Sequence, residues 1–259
     1  MNMALFAARN VGYQVAKFYG DNKEPLSCLV LDAKDDSGLN SKIIEESGVS
    51  PNKVFYSDAL YKDETTNALG NMNLDLIILA WWPYIIKEKL LSLPRMGCLN
   101  FHPSYLPYNR GKHYNFWAIV EEVPFGVSLN SADKGIDTGD IAYQSLIETS
   151  WEDTGESLYI KAQEEIVRLF KEKFPDIKTG RIPRVPQDLS KGSFHNSNEL
   201  EESSRIDLDK GYKARTLLNL LRARTFPPHP GAWFIDKGQK FQARLEIKRV
   251  DGPDEKNHE

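Results

Sequence analysis

The run from Leu74 to Ala80 limits the possible folds more than any other stretch of the chain, because it is apolar at nearly every position. A strand that shows one face to water alternates apolar and polar residues. A run without that alternation is typical of a parallel strand covered on both faces. The sequence therefore predicts the central strand of a parallel sheet, with helices packed on both faces.

Further apolar runs alternate with segments of helical spacing, which predicts an α/β fold with a Rossmann-like, mostly parallel sheet. Strands are predicted at residues 3–8, 26–31, 54–56, 74–80, 98–102, 126–132 and 141–147. Helices are predicted near residues 12–19 (after a turn at residues 9–10), 41–47, 85–93 and 113–122. Thr154 is a suitable N-cap for a longer helix, since apolar residues recur at helical spacing from Leu158 to Phe170.

The composition changes after Phe174. Proline and glycine recur at positions 175, 180, 183 and 186, and the polar run at 193–204 follows, which together predict a linker or an irregular lobe. A helix is predicted at 210–224, then strands at 232–235 and 240–247 joined by a hairpin turn at 236–239. We expect a Rossmann-like domain at residues 1–180 and a small C-terminal lobe with a helix and a β-hairpin at residues 181–259. The acidic end of the chain is expected to be frayed.

Charge and cysteine content exclude several classes of protein. The 259 residues carry a formal net charge of −4, which gives no general attraction to nucleic acid or anionic lipid. The first residues lack the pattern of a signal peptide, and no apolar run approaches the length of a membrane span. Cys28 and Cys98 lie in apolar runs without metal-ligand spacing, as in a reducing cytosol. We expect a cytoplasmic protein with neither a nucleic-acid nor a membrane partner.

Asn100, His102 and Asp137 form the candidate reactive group. Side chains alternate along a strand, so Asn100 and His102 point to the same side. Pro103 ends that strand, and open α/β sheets bind ligands at the carboxyl ends of strands. Asp137 belongs to a later glycine-rich turn. An amide donor, an imidazole and a carboxylate can build an acyl-transfer site; a structural histidine beside a polar turn is the alternative interpretation.

Three other kinds of site fit the sequence less well. The first strand–helix turn, residues 7–12, has one glycine where a dinucleotide-binding protein has G-x-G-x-x-G. Ser104 lacks the G-x-S-x-G turn that exposes the nucleophile of a Ser-His-Asp hydrolase. His113 is the nearest histidine to His102, and no cluster with metal-ligand spacing accompanies them. We expect neither a nicotinamide cofactor nor a metal.

The same residues carry a family resemblance. Residues 100–107 (NFHPSYLP), 110–111 (RG) and 136–140 (IDTGD) resemble the formyltransferases that use N10-formyltetrahydrofolate. The resemblance covers the first strand to about Phe174, with Tyr105 where leucine is usual in the glycinamide ribonucleotide and methionyl-tRNA enzymes. Residues 103–112 and the tail at 212–234 are most similar to sugar N-formyltransferases, which act on dTDP-linked 3-amino- or 4-amino-dideoxyhexoses.

The resemblance implies catalytic roles for Asn100 as oxyanion donor, for His102 as base and for Asp137 as the group that orients the base. It implies N10-formyltetrahydrofolate as the formyl donor and no metal. The residues expected to contact the folate are Trp82, Tyr84, Ile85, Ser104, Tyr105, Leu106 and Pro107. Aromatic side chains at a strand end suit a flat pterin, although core packing is the alternative for them.

An anionic nucleotide sugar requires cations and an aromatic surface. The residues expected to bind it are Arg110, Lys112, Arg222, Arg224, Phe226 and Trp233. Each has a structural alternative: a solvated loop for the first two, the end of a helix for the next two, and core packing for the last two. The family also implies a homodimer.

We therefore expect a one-carbon transferase, an N-formyltransferase that acts on a dTDP-linked amino-dideoxy sugar in surface-polysaccharide (O-antigen) biosynthesis. Methionyl-tRNA and glycinamide ribonucleotide formyltransferases share the chemistry and remain alternatives. The former should carry a more basic C-terminal domain, because tRNA affinity rests on phosphate contacts. A sensor that binds folate or a sugar nucleotide is the non-enzymatic alternative.

Overall fold

The computed structural model describes residues 1–250, so the fraying expected for the acidic end, residues 251–259, concerns residues outside that range. Over the described range the strands are β1 (Met3–Ala7), β2 (Cys28–Leu31), β3 (Val54–Tyr56), β4 (Leu76–Ala80), β5 (Cys98–His102), β6 (Arg110–Gly111), β7 (Gly126–Ala132), β8 (Ile141–Leu146), β9 (Phe194–His195), β10 (Ala232–Asp236) and β11 (Gln239–Ala243). The helices are α1 (Arg9–Asp21), α2 (Asn40–Ser47), α3 (Asp63–Gly70), α4 (Glu88–Leu91), α5 (Tyr114–Val120), α6 (Gly155–Lys178), α7 (Glu199–Ser203) and α8 (Ala214–Ala223).

The central sheet has the strand order β3-β2-β1-β4-β5-β7-β8. The strands from β3 to β5 in that order pair in parallel, and β7 and β8 are added antiparallel. All residues of β1, β2 and β4 are buried, as their apolar runs predict. The Rossmann-like, mostly parallel α/β sheet is therefore confirmed.

Alternate side chains of the parallel strands enter two separate cores, one on each face of the sheet. Leu5 and Leu29 pack with apolar residues of α1 and α6 on one face. Phe6 and Val30 pack with apolar residues of α3 and α4 on the other. Burial of each such side chain contributes about 1.5–3 kcal/mol, so the helices on both faces stabilise the sheet that positions the strand ends.

Helix α6 begins where the sequence predicts and continues further. The Ser157 amide donates to Thr154 Oγ1 at 3.2 Å, and the Thr154 amide donates to Ser157 Oγ at 2.9 Å, which makes a capping box. The composition changes after Phe174, yet α6 passes through Pro175 for one more turn. Pro175 removes a single donor, the partner of the carbonyl of the exposed residue 171. The buried Phe174 holds that last turn on the core.

Residues 181–198, here called the crossing segment, return to the sheet rather than forming a linker. Val185 exchanges backbone hydrogen bonds with Ile141 at 2.8 and 2.9 Å. Further along, β9 pairs in parallel with β6. Strand β9 has only two residues, which is too short for a periodicity in the sequence. It was therefore not predicted within the polar run at 193–204. The domain division after residue 180 stays a prediction, although the crossing segment packs against the larger domain.

The C-terminal lobe contains α8 and the antiparallel hairpin of β10 and β11, as predicted. Lys237 and Gly238 occupy the hairpin turn with φ values of 47° and 78°. Two successive positive values are what a type I′ hairpin turn requires. Strand β11 ends at Ala243 rather than at residue 247.

Cys28 and Cys98 are unpaired and buried, and burial raises the pKa of both thiols to about 12. A thiol held in its protonated form is a poor nucleophile, so neither cysteine is a candidate reactive group. Among residues 1–250, no helix combines the length and apolar character needed to cross a bilayer. Over the same range, no group of His, Cys, Asp and Glu side chains has the arrangement of a metal site.

Candidate active site

A cleft of about 530 Å³ opens at the carboxyl ends of β4 and β5. Its walls come from the segment after β4, the end of β5, the start of α5, the loop between β7 and β8, and the crossing segment. Open parallel sheets bind ligands at this position. The volume lies within the range of small-molecule sites, about 300–1,000 Å³.

The three predicted reactive side chains meet in this cleft. Asp137 Oδ1 lies 3.3 Å from His102 Nδ1 and accepts a hydrogen bond from Asn100 Nδ2 at 3.2 Å. The other carboxylate oxygen, Oδ2, accepts from the backbone N–H of Gly111 at 3.0 Å. His102 is buried, with 4% of its surface exposed. An amide, an imidazole and a carboxylate from separate elements therefore converge on one point.

The loop between β7 and β8 brings Asp137 to this point. Asp133 organises the start of the loop by accepting from the Gly135 amide at 3.0 Å and from Thr138 Oγ1 at 2.8 Å. Gln187 of the crossing segment donates its side-chain amide to the carbonyls of Asp137 and Gly139 at 2.9 and 2.6 Å. Asp137 has a φ of 55°, a left-handed conformation that aspartate tolerates better than most residues.

The imidazole of His102 lies between two acceptors. Nδ1 faces the Asp137 carboxylate, and Nε2 lies 3.4 Å from the carbonyl oxygen of Asn109. A neutral ring that donates Nδ1–H to the carboxylate carries its lone pair on Nε2, which is the form a general base requires. Both distances are slightly longer than the usual hydrogen-bond range.

Asn130 is a buried member of the site that our sequence analysis missed. It lies opposite Asn100 in the register of β5 and β7, and its Oδ1 accepts from Asn100 Nδ2 at 3.3 Å. Both hydrogens of the Asn100 amide are thus directed, one to Asn130 and one to Asp137. The pairing of β5 with β7 would have revealed this contact, but the order of the strands cannot be obtained from residue periodicity.

Trp82, Tyr84 and Ile85 line one end of the cleft. The Trp82 ring packs edge-on against Phe6 and Tyr84, with centroids 5.3 and 5.6 Å apart, and the Tyr84 hydroxyl donates to Asp32 Oδ1 at 2.7 Å. Trp82 Nε1 is buried without a hydrogen-bond partner, whereas Ile85 is 69% exposed. This end offers flat apolar surfaces and one unpaired buried donor.

Residues 104–107 do not line the cleft, in contrast to the cofactor contacts expected of them; Pro103 before them does. Ser104 Oγ donates to the Tyr108 carbonyl at 2.7 Å. The Leu106 amide donates to Ser128 Oγ at 3.1 Å, and Ser128 Oγ donates to the Ser104 carbonyl at 2.7 Å. The polar groups of this loop are therefore used to attach it to β7. Tyr105 and Pro107 belong to the same loop. The contacts of this loop with β7 hold the end of β5 in place.

Of the two cations that follow this loop, one faces the cleft and the other faces the crossing segment. Lys112 lines the cleft and is exposed. Arg110 does not line it: its guanidinium lies 6.0 Å from the centre of the Phe194 ring, and its Nε is buried. Of the two, Lys112 alone is placed to meet a ligand in the cleft.

Two of the four C-terminal residues expected to bind the substrate make hydrogen bonds to backbone carbonyls. Arg222 Nη1 donates to the carbonyl oxygens of Ser150 and Asp153, both at 3.0 Å. Trp233 Nε1 donates to the carbonyl of Glu201 at 2.9 Å. Neither residue lines the cleft. The substrate contacts of these two residues stay a prediction, because arginine and tryptophan suit a ligand and a structural contact equally well.

Arg224 and Phe226 also lie outside the cleft lining. Arg224 is buried, and burial lowers the pKa of its guanidinium. The Phe226 ring packs on Tyr159 with centroids 5.3 Å apart, and Tyr159 does line the cleft. Phe226 therefore supports the wall from behind rather than forming it.

Four other residues line the cleft and were missed by sequence reasoning: Arg9, Trp81, Tyr114 and Tyr159. The three aromatic residues pack with the core on the α1 and α6 face of the sheet, whereas Trp82 packs with the core on the other face, so these four residues form the opposite end of the cleft. The three aromatic rings contact one another with centroids 5.9–6.4 Å apart. The Tyr114 hydroxyl is buried without a partner, and burial raises its pKa. Arg9 is exposed, and its side chain makes no hydrogen bond or ion pair with the rest of residues 1–250. An unpaired cation and an unpaired hydroxyl thus flank the His102 end of the cleft.

Solved structures share this fold over nearly the whole chain. One is a 4-N formyltransferase from Francisella tularensis, with a TM-score of 0.79 and 24% identity over 96% of this chain and 99% of that one. Another is an N-formyltransferase from Helicobacter canadensis in complex with folinic acid and dTDP-3-aminofucose, with a TM-score of 0.69 and 18% identity over 93% of this chain and 86% of that one. At such identities the likeness concerns the fold.

Sequence comparisons identify the family. A methionyl-tRNA formyltransferase from Agathobacter rectalis is 33% identical over 195 residues, which are 74% of this chain and 61% of that protein. The chain spans about three fifths of the length of the curated relatives that it matches. Residues 199–249 match the N-formyltransferase dimerization C-terminal domain, and residues 15–173 match the formyl transferase family. Because that second match covers more than half of the chain, the protein belongs to the formyl transferase family.

Proposed function

We propose that the protein is an N-formyltransferase that moves a formyl group from N10-formyltetrahydrofolate to the amino group of a dTDP-linked amino-dideoxy sugar. The observation that carries this proposal is the meeting of Asn100, His102 and Asp137 in one cleft. The sugar acceptor is supported by the similar solved structures, one of which is described with folinic acid and dTDP-3-aminofucose. The curated relatives are named as methionyl-tRNA enzymes, so the acceptor is the part that most needs a test.

The end of the cleft at Trp82 fits a folate. Its aromatic surfaces suit a flat ring, and the buried Trp82 Nε1 without a partner offers a hydrogen bond to a heteroatom of that ring. When bound, the folate supplies an activated formyl carbonyl. Tyr84 and Ile85 would extend the contact toward the mouth of the cleft, where Ile85 is exposed.

Each of the three reactive residues has one task in the proposed transfer. His102 Nε2 accepts the proton that the amine loses as its nitrogen bonds to the formyl carbon; that proton leaves with the folate nitrogen when the old C–N bond breaks. Asn100 Nδ2 donates to the formyl oxygen as negative charge develops there, so this oxygen replaces one of the acceptors that Nδ2 has in the free protein. Asp137 keeps the imidazole oriented and stabilises its protonated form.

The opposite end of the cleft suits the nucleotide sugar. Arg9 supplies an unpaired cation for the pyrophosphate, and Tyr114 supplies a buried hydroxyl close to His102. Lys112 adds a second cation. With the folate at the Trp82 end and the sugar at the other end, the amine and the formyl carbon would meet beside His102, where holding the two substrates in register accelerates the reaction.

Arg9→Ala is expected to raise the KM for the nucleotide sugar by about 10- to 100-fold, the effect of losing one hydrogen bond to a charged group. The KM for N10-formyltetrahydrofolate should stay within twofold, because the folate binds at the other end. Steady-state kinetics with each substrate varied in turn measures both values. Arg181→Ala is the control, since Arg181 is an exposed arginine outside the cleft that pairs with Asp176. A rise in the folate KM alone would reverse the assignment of the two ends.

The formyl-transfer assay tests the function itself. The protein is incubated with N10-formyltetrahydrofolate and, in separate reactions, with dTDP-3-amino and dTDP-4-amino sugars, glycinamide ribonucleotide and methionyl-tRNA. Mass spectrometry should show the gain of one formyl group on a dTDP-amino sugar. Formylation of methionyl-tRNA alone, with strong salt dependence, would establish that alternative. Saturable binding without product from any acceptor would establish the sensor.

We also propose that the protein is a homodimer and acts in the cytoplasm, in the biosynthesis of a surface polysaccharide. The match of residues 199–249 to the dimerization domain supports the dimer. On the hairpin within that range, Ile235 and Phe241 are 50% and 42% exposed, as expected of apolar residues that a second copy covers. The unpaired Cys28 and Cys98 support a reducing compartment.

A further inference from the structure

A partly buried hydrogen-bond network joins the end of α5 to the crossing segment. Glu121, the residue after α5, contacts three polar groups, each at 2.8 Å: Asn109 Nδ2, Ser193 Oγ and His195 Nε2. The first two donate to Oε2, and the third lies against Oε1. Asn109 is 1% exposed and His195 is 9% exposed, whereas the Glu121 side chain is 26% exposed, so these contacts are partly shielded from water.

His195 is held on both sides and on one face. Its Nδ1 lies 3.0 Å from Glu199 Oε2, opposite the contact with Glu121. Its ring stacks on Trp117 with centroids 3.7 Å apart and planes 8° apart. Both ring nitrogens of His195 thus face a carboxylate oxygen. The network therefore fixes the position of β9, to which His195 belongs.

The network reaches both neighbours of the His102 ring. On one side, the Asn109 side chain binds Glu121 while its carbonyl lies 3.4 Å from His102 Nε2. On the other, His195 pairs with Gly111 across β6 and β9, and the Gly111 amide donates to Asp137. Asn109 has a φ of 52°, so the direction of its carbonyl depends on the contacts that hold this left-handed conformation.

We propose that Glu121 is a positioning residue for the formyl transfer, an inference that rests on the proposed function. By binding Asn109 and His195, Glu121 sets the places of the Asn109 carbonyl and the Asp137 carboxylate on the two sides of the His102 imidazole. Glu121 does not line the cleft, so its effect passes through these two contacts and not through a substrate.

Glu121→Gln tests the proposal with little change of shape. We expect kcat to fall about 10-fold, because small displacements around a base slow the chemical step, while the KM values for both substrates stay within twofold. Glu122→Gln is the matched control: it removes the same charge one residue later, from a carboxylate that pairs with Arg215 at the surface. This control should keep the wild-type kcat. A changed KM with an unchanged kcat would mean that Glu121 serves binding, contrary to the proposal.

Histidine NMR gives a second measurement that does not depend on turnover. The chain has five histidines, and the His102 ring signals are assigned by their loss in His102→Ala. Glu121→Gln should shift these signals, and Glu122→Gln should leave them in place. If the wild-type protein transfers no formyl group, the proposed function fails, but the NMR comparison still decides whether Glu121 positions His102.

Ser193→Ala provides a milder variant in case Glu121→Gln does not fold. It removes one donor to Glu121 Oε2, together with the hydroxyl that accepts from the Asn109 backbone and side-chain amides at 3.2 Å, and leaves the contacts of Glu121 with Asn109 and His195. We expect the same direction of change, with kcat lowered about twofold and a smaller shift of the His102 signals. Wild-type kcat and unmoved His102 signals in folded Glu121→Gln would overturn the proposal. If that variant is unfolded, the same result in Ser193→Ala would overturn it.

Discussion

His102→Ala will lower the rate of formyl transfer by about 10²–10⁴-fold, the usual contribution of a positioned general base, and will leave the fold intact. The imidazole lies at the end of β5 between Asp137 and the Asn109 carbonyl and does not belong to either apolar core. Its loss removes the acceptor for the amine proton and little packing. Single-turnover rates with saturating substrates measure the effect, and circular dichroism and a thermal midpoint check the fold.

Asp137→Asn should lower the rate in the same way, because an amide cannot stabilise the protonated imidazole as a carboxylate does. Asp140→Asn is the matched control, with the same change of charge in the same loop and on a side chain outside the cleft lining. The two deficits should not add in a His102→Ala/Asp137→Asn double variant, since the residues act as a unit. Wild-type turnover in both single variants would refute the assigned chemistry.

Gly111→Ala is expected to reduce both stability and activity. Gly111 has a φ of 89°, and a Cβ there would clash with the carbonyl oxygen of His195 and with the Phe194 ring. The left-handed strain and the clash together should lower the free energy of unfolding by about 2–5 kcal/mol. Because the Gly111 amide holds Asp137 Oδ2, separation of β6 from β9 should also lower kcat at temperatures where the variant remains folded.

Gly238→Ala separates the effect of backbone strain at a positive φ from the effect of a steric clash. Gly238 has a similar φ of 78°, but the space around its missing Cβ is open to 4 Å. This variant should therefore lose only about 1–2 kcal/mol and keep its kcat. Urea denaturation and steady-state kinetics compare the pair. Equal losses of stability in the two variants, with normal kcat in both, would show that the contact of β6 with β9 does not support the site.

The sheet could be predicted from the sequence because its signals are local. The apolar run from Leu74 to Ala80 has no polar face, and Pro103 stops a strand wherever that strand packs. The crossing segment could not be predicted in this way. Its backbone contacts are the single bridge of Val185 with Ile141 and the two-residue pairing of β9 with β6, and contacts this short impose no repeat on the sequence.

In the candidate site, too, the residues with local signals could be predicted, and those placed by contacts between distant elements could not. Asn100 and His102 lie on the same face of β5 because side chains alternate along a strand. Asp137 was identified from the glycine-rich turn that contains it. Arg9 and Tyr114 were missed because their place beside the cleft depends on how α1 and α5 meet the sheet. Arg222 was assigned to the substrate on its residue type alone, and type does not reveal that its guanidinium is directed to backbone carbonyls.

The hydrogen bonds from Gln187 to the loop of Asp137 can form only late in the synthesis of the chain. A nascent chain that has left the ribosome only to residue 180 contains every strand of the central sheet. It still lacks the amide that holds the carbonyls of Asp137 and Gly139, and β6 has no partner until β9 emerges. The strands of the central sheet are therefore complete before the contacts that hold Asp137, and a product truncated at residue 180 would lack those contacts.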